Sequence, residues 1–247
     1  NSPDDYFLVP LIDGVGAIFV GIVSIYIARN KNDFLKYVPT MFDIKEQVVN
    51  GKDIFFSQIV VYFYTSFNVF LLGLLLSPNL VGYYTLAEKI YSAIRGVLKP
   101  LNQAVFPYLS RVYGNDFSIF CHSAKVLTLV YLLFLSFACS VCYFFSNEII
   151  ELVSGNRIEK AGFILEVFAL ALLFGIGSLY TSLLVIKSQS KYLFKITLLT
   201  TTFNLVFVYP VTINFGIVGM AYLYLSTQVF QFLLQIYHNR DIWIYKV

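Results

Sequence analysis

Apolar residues fall into stretches of bilayer length joined by short polar segments. A helix needs about 20 apolar residues to cross a hydrocarbon core. Seven stretches meet or approach that length: 7–28, 54–77, 82–109, 126–145, 162–186, 196–213 and 217–237. The third is the least pure, because Glu88, Lys89, Arg95 and Lys99 interrupt it. The pattern predicts an all-α, polytopic membrane helix bundle of about seven transmembrane helices.

Basic residues in the joints give the bundle an orientation. The joint after the first stretch holds Arg29, Lys31, Lys36, Lys45 and Lys52, whereas Ser77-Pro78-Asn79-Leu80-Val81 holds none. Arg111 and Lys125 flank the next joint, and Lys187, Lys191 and Lys195 follow the fifth stretch. Between them, Arg157 and Lys160 are offset by Glu148, Glu151 and Glu159, and the turn at Asn214 is uncharged. Basic and non-basic joints alternate, so Lys and Arg bias places the start of the chain outside and its end inside.

Residues 29–52 form the one long polar connection. Phe34, Leu35, Val38, Met41 and Phe42 recur there at roughly helical spacing. The segment is either a plain linker or a helix lying flat in the headgroup region, broken at Pro39. The organisation expected is a leading helix (1–28), a cytoplasmic linker (29–52), a six-helix bundle (53–239) and a cytoplasmic tail (240–247).

Composition sharpens this picture. Of 247 residues, 13% are charged and 58% hydrophobic, against roughly 25% charged in a soluble chain. With 25 Phe, 19 Tyr and a mean hydropathy of +0.74, one soluble core could not hide the apolar surface. A soluble enzyme and a disordered chain are disfavoured. The net charge of +3 is too scattered to form a nucleic-acid footprint. Cys121, Cys139 and Cys142 read as small buried hydrophobes rather than a metal or redox site. No phosphate-cradling glycine loop, paired catalytic His or zinc motif is present, so neither an enzymatic centre nor a cofactor is expected. The chain opens at Asn1 without a basic n-region, which reads as part of something longer rather than a signal peptide.

Ionisable groups within membrane spans are functional candidates. Glu88, Ser92, Arg95, Lys99 and Asn102 follow one another at steps of four and three, forming one helical stripe, with Lys89 beside it. Such a stripe must turn toward protein or a water-filled cavity, unless its lysines snorkel to the interface. Gln58, Thr65 and Asn68 share a face of the second stretch, and Gln228, Gln231 and Gln235 share a face of the seventh; both sets suit sugar contacts or helix–helix hydrogen bonds. Glu88 and Glu166 are the carboxylates best placed to couple an ion, although a counter-ion role suits Glu166 equally.

Asn79-Leu80-Val81-Gly82-Tyr83-Tyr84-Thr85-Leu86-Ala87-Glu88-Lys89 leads on to Pro107-Tyr108-Leu109-Ser110-Arg111. This resembles one helix of the bacterial Wzx-type O-antigen and lipid-linked polysaccharide flippases, with its V-G-x-Y-x-x-A-E-K opening and P-x-x-S-R exit. Asn68-Val69-Phe70-Leu71-Leu72-Gly73 and Gly216-Ile217-Val218-Gly219 are similar to neighbouring family segments. The resemblance implies a V-shaped transporter of two six-helix lobes, of which this chain supplies the last helix of the first and all of the second. Related murein-precursor flippases carry a cavity-facing basic residue where Lys89 stands. Arg95 and Lys99 rest on the helical wheel alone.

The function implied is flipping of undecaprenyl-pyrophosphate-linked O-antigen or a related oligosaccharide from the cytoplasmic to the periplasmic leaflet. A cavity presenting Lys89, Arg95, Lys99, Gln58, Asn68 and Asn102 would replace the head group's hydration, and rocking of the lobes would alternate its access. Partners would be the lipid-linked oligosaccharide, membrane lipids and the polysaccharide polymerase machinery, in a bacterial inner membrane, with no nucleic acid. Two rivals are a multidrug or cation antiporter of the same fold, which would favour cavity carboxylates, and a membrane polysaccharide polymerase or ligase, which would need a large external loop.

Overall fold

The computed structural model describes residues 8–31 and 40–245, with side chains for 14–27, 40–49 and 51–245. Among these residues every regular element is helical. Four helices are long and apolar enough to cross a membrane: Gly51–Leu75, Phe117–Phe144, Glu159–Ile186 and Ser190–His238. The chain divides into two compact units, Asn1–Gly51 and Lys52–Val247.

The first unit holds helix α1 (Leu8–Lys31) and the opening of α2 (Met41–Leu75). Ile18, Phe19, Val20 and Tyr26 of α1 are exposed at 63–72%, as befits a helix whose surroundings are hydrocarbon. Pro39 lies outside the described residues. Beyond it, the Thr40 hydroxyl accepts from the Asp43 N–H at 3.2 Å while the Asp43 carboxylate accepts from the Thr40 N–H at 2.8 Å. This reciprocal cap starts a helix. The second half of the expected linker is therefore helical and runs straight into the second apolar stretch.

In the second unit, α3 (Pro78–Gly96) and α4 (Leu98–Asn115) make up the third stretch. It kinks where a single helix was expected, and Pro100 supplies the reason. Its ring crowds the Gly96 carbonyl four residues back and offers that carbonyl no N–H. Next come α5 (Phe117–Phe144), whose first turn is capped by the Asp116 carboxylate, and α6 (Ser146–Ser154), ended by Gly155 at φ 73°. α6 occupies the joint expected as a loop, because Ile150 can bury itself completely.

The fifth stretch is α7 (Glu159–Leu172), a 3₁₀ turn (Leu173–Ile176) and α8 (Gly177–Ile186). It packs against α3, α5, α6 and α9, and is the most enclosed helix of the unit. Gly175 lets Leu98 and Leu135 close on the 3₁₀ turn.

Helix α9 (Ser190–His238) contains the last two stretches and turns at Gly216, whose φ 58° and ψ −143° only glycine adopts readily. Its halves lie antiparallel. Asn204 Nδ2 donates to Thr227 Oγ1 at 3.2 Å, and the Phe203 and Phe230 rings are 5.3 Å apart. The expected tail carries a short helix, α10 (Arg240–Ile244), which docks. Ile242 is buried, Trp243 Nε1 donates to the Tyr180 hydroxyl at 3.1 Å, and Tyr245 stacks edge-on against Phe117.

Among the described residues two large apolar clusters fill most of the interior, one toward each end, and a small third one gathers Leu184, Leu193 and Ile196. Of the large clusters, one joins α3, α7 and the start of the second half of α9; the other joins α4, α8, the first half of α5 and α10. Cys139 and Cys142 pack in the first, Cys121 in the second, all as free thiols.

Candidate functional site

The buried ridge of α3 runs Tyr84, Ala87, Tyr91, each at most 2% exposed. This i, i+3, i+7 spacing places one side chain above the next. Phe168 of α7 sits against the ridge, its ring 5.5 Å from Tyr84, 5.4 Å from Tyr91 and 5.3 Å from Tyr224 of α9. Tyr91 and Tyr224 meet edge to face at 5.5 Å and 83°, the orientation aromatic quadrupoles favour.

Arg95 continues the same ridge one turn on. Its Nη1 donates to the Tyr224 hydroxyl at 3.3 Å and to the Tyr91 hydroxyl at 3.5 Å, and Tyr224 donates to Tyr91 at 3.3 Å. Tyr64 of α2, itself buried, lies within electrostatic reach of both Arg95 and Glu88. The guanidinium is thus held by neutral hydroxyls. These long contacts orient the group without cancelling its charge.

The polar stripe straddles the edge of this ridge. Glu88, Arg95 and Asn102 are half-buried, whereas Ser92 and Lys99 are exposed. The kink at Val97 puts Lys99 and Asn102 on a different helix from Glu88 and Arg95. Asn102 accepts a hydrogen bond from the Tyr131 hydroxyl at 2.9 Å, so its carbonyl is already engaged. Lys89 is exposed and lines an open cleft of about 420 Å³ with Asn79, Tyr83 and Ile158.

The remaining candidates are dispersed. Asn68 is 4% exposed and its Oδ1 has no hydrogen-bond partner among the described residues, while Gln58 is exposed ten residues earlier on α2. The Thr65 hydroxyl bonds to the carbonyls of Val61 and Tyr62. Glu166 accepts from the Ser146 hydroxyl at 3.0 Å. It therefore faces α6, on the side of α7 opposite Phe168, since two residues turn a helix by about 200°. Gln228 and Gln235 are buried, and Gln235 Nε2 donates to Thr181 Oγ1 at 2.9 Å, a helix–helix bond.

Sequence reasoning missed the tyrosines that hold Arg95. Tyr84, Tyr91 and Arg95 share a helical face that could have been read from their spacing; Tyr224 carries no local signal. It also missed the pair Lys187–Asp241, in which Lys187 Nζ reaches both carboxylate oxygens at 2.9 and 3.1 Å.

Residues 1–113 match the family model described as "Polysaccharide biosynthesis protein". Over 234 residues the chain is 27% identical to a "Putative O-antigen transporter" of Shigella dysenteriae, covering 93% of this chain and 58% of that protein. It is 22% identical over 231 residues to the protein of that name from Escherichia coli (strain K12), covering 92% of this chain and 55% of the relative. The chain therefore spans a little over half the length of these curated relatives. No solved structure matches it. The likeness to polysaccharide flippases seen in the third stretch is borne out by these matches.

Proposed function

We propose that this chain forms one lobe, with one helix of another, of a flippase that moves an undecaprenyl-pyrophosphate-linked O-antigen or related oligosaccharide across the bacterial inner membrane. The observation that carries the proposal is Arg95, a cation midway along the third apolar stretch whose hydrogen-bond partners among the described residues are two tyrosine hydroxyls. A charge at such a depth costs at least about 2.5 kcal/mol to insert. Keeping it without a carboxylate partner among the described residues leaves a positive field that a diphosphate can share.

Lys89 and Lys99, exposed on either side of Arg95, extend that field along the stripe. Gln58 and the Nδ2 of Asn102 offer donors to the sugars, while Asn68, buried in this lobe, would reach them only if the lobes move. The substrate enters from the cytoplasmic side, and the lobes rock to release it on the periplasmic side. Glu88, beside the stripe, suits ion coupling better than Glu166, whose carboxylate is taken by Ser146. The antiporter reading is weaker, because the charges gathered on the stripe are mainly cationic. The polymerase machinery would receive the flipped product.

The test uses the full-length protein in a strain lacking it. Arg95→Gln should reach normal membrane abundance with much reduced surface polysaccharide and accumulated lipid-linked intermediates. Arg95→Lys should retain part of the activity, since a point charge survives while the planar fork is lost. Normal polysaccharide from Arg95→Gln at normal abundance would make the stripe structural and sink the proposal.

A further inference from the structure

Gly216 folds α9 back on itself, so residues 191–195 and 237–240 arrive at one end of the unit. At 1.5 Å per residue each half is about 35 Å long, against a hydrocarbon core of about 30 Å. The ends of α9 therefore reach headgroup depth. A continuous chain of contacts runs between them. Lys195 Nζ lies 5.8 Å from the centre of the Tyr192 ring, Tyr192 is 5.0 Å from the His238 ring, His238 is 5.4 Å from Tyr237, and the Arg240 guanidinium is 5.0 Å from Tyr237. Lys191 stands beside them, and all three cations are exposed.

Among the described residues no carboxylate pairs with these cations. The nearby carboxylate, Asp241, is held by both oxygens to Lys187, and Asp116 caps α5 through the N–H groups of Ser118 and Ile119. Aromatic faces position Lys195 and Arg240 without neutralising them, unlike a carboxylate partner. Tyrosines at this depth are themselves suited to the interface, with apolar rings and wet hydroxyls.

We infer that Lys191, Lys195 and Arg240, ordered by Tyr192, His238 and Tyr237, form a docking surface for the phosphate headgroup of an anionic bilayer phospholipid. The surface lies on α9 and α10, apart from the stripe of α3 and α4, and does not depend on which substrate is transported. A phospholipid satisfies it at both ends: phosphate to the cations, and acyl chains to the exposed apolar residues of α9, such as Leu198 and Leu233.

The test is native mass spectrometry of the full-length protein released from vesicles of phosphatidylcholine mixed with phosphatidylglycerol, counting which lipid remains bound. Phosphatidylglycerol should be retained preferentially. Each of Lys191→Gln, Lys195→Gln and Arg240→Gln should lower that preference about fivefold, since a basic residue near an anionic surface contributes about 1 kcal/mol. Arg157→Gln with Lys160→Gln, which removes exposed cations from the opposite end, should leave it unchanged. An unchanged preference in the triple α9–α10 variant overturns the proposal, as does an equal loss in the opposite-end control. Displacement of the lipid by inorganic phosphate at millimolar levels would also overturn it, by showing a free-anion site. Unfolding midpoints in phosphatidylcholine alone establish that the variants are folded; should the triple variant fail there, the three single variants decide the same question.

Discussion

Arg95 and Tyr224 meet at 3.3 Å although 129 residues separate them. This contact ties the third apolar stretch to the second half of α9 across the ring of Phe168. It also fixes what can be removed cleanly. Tyr224→Phe deletes the acceptor for Arg95 and the O–H that donates to Tyr91, and keeps the ring in its edge-to-face contacts with Tyr91 and Phe168. Because the contact is long, the Arg95–Tyr224 contribution should sit at the low end for hydrogen bonds to charged groups, about 1.5 kcal/mol. A double-mutant cycle with Arg95→Gln, read by thermal unfolding in detergent, should show a coupling of that size. Strict additivity would mean the guanidinium and the hydroxyl do not interact in solution.

Gly216 and Gly219 govern the reversal of α9 by different means. At Gly216 the backbone occupies a region closed to residues with a Cβ, so Gly216→Ala should cost about 1–3 kcal/mol in strain. At Gly219 the conformation is ordinary, but a Cβ would lie 2.5 Å from Phe215 Cβ and 3.1 Å from the Val211 carbonyl. Gly219→Ala must therefore push the halves apart, again at about 1–3 kcal/mol. Gly82→Ala, which meets nothing within 4 Å, is the control and should be close to neutral. Comparable losses at all three positions would point to glycine content rather than geometry.

The Lys187–Asp241 pair predicts an asymmetry. The Lys187 side chain is 2% exposed and that of Asp241 44%. Asp241→Leu strands a buried ammonium, whereas Lys187→Met leaves a carboxylate that water already reaches. Fully buried pairs lose 3–5 kcal/mol when broken; with one partner half-exposed, Asp241→Leu should cost about 2 kcal/mol and Lys187→Met clearly less. Unfolding midpoints of both variants and of the double replacement decide it. The double variant should recover part of the Asp241→Leu loss. A larger loss from Lys187→Met would contradict the burial argument.

The parts legible in the sequence were those governed by local chemistry. Helix positions followed from runs of apolar residues, and the α9 reversal from Asn214 to Gly216. What escaped depended on contacts distant in sequence or on a single backbone atom. Pro100 was visible, but its effect falls on Gly96 in the preceding turn. Ile150 and Ile242 each turned a segment expected as loop or tail into a packed helix, because one buried residue anchors it. The stripe from Glu88 to Asn102 was legible as a pattern, yet the kink divides it and Asn102 bonds to Tyr131. Tyr224 could not be assigned to Arg95 without the fold.

The sidedness of the bundle follows from the alternation of basic joints. Asn79, Asn214 and Ser188 are all exposed, so a cysteine at any of them is reachable from whichever solvent it faces. Asn79 and Asn214 lie in joints without Lys or Arg, and Ser188 lies between Lys187 and Lys191. Positive residues resist translocation, so the Ser188 joint should face the cytoplasm and the other two the periplasm. The three native thiols are buried and should react slowly, but replacing Cys121, Cys139 and Cys142 with Ala removes them as a complication. In intact cells, an impermeant maleimide should label Asn79→Cys and Asn214→Cys, and should label Ser188→Cys only after the membrane is opened. Labelling of Ser188→Cys from outside with Asn79→Cys protected would invert the bundle. The cations of α9 and α10 would then meet the outer leaflet, and the substrate would have to enter from the opposite side.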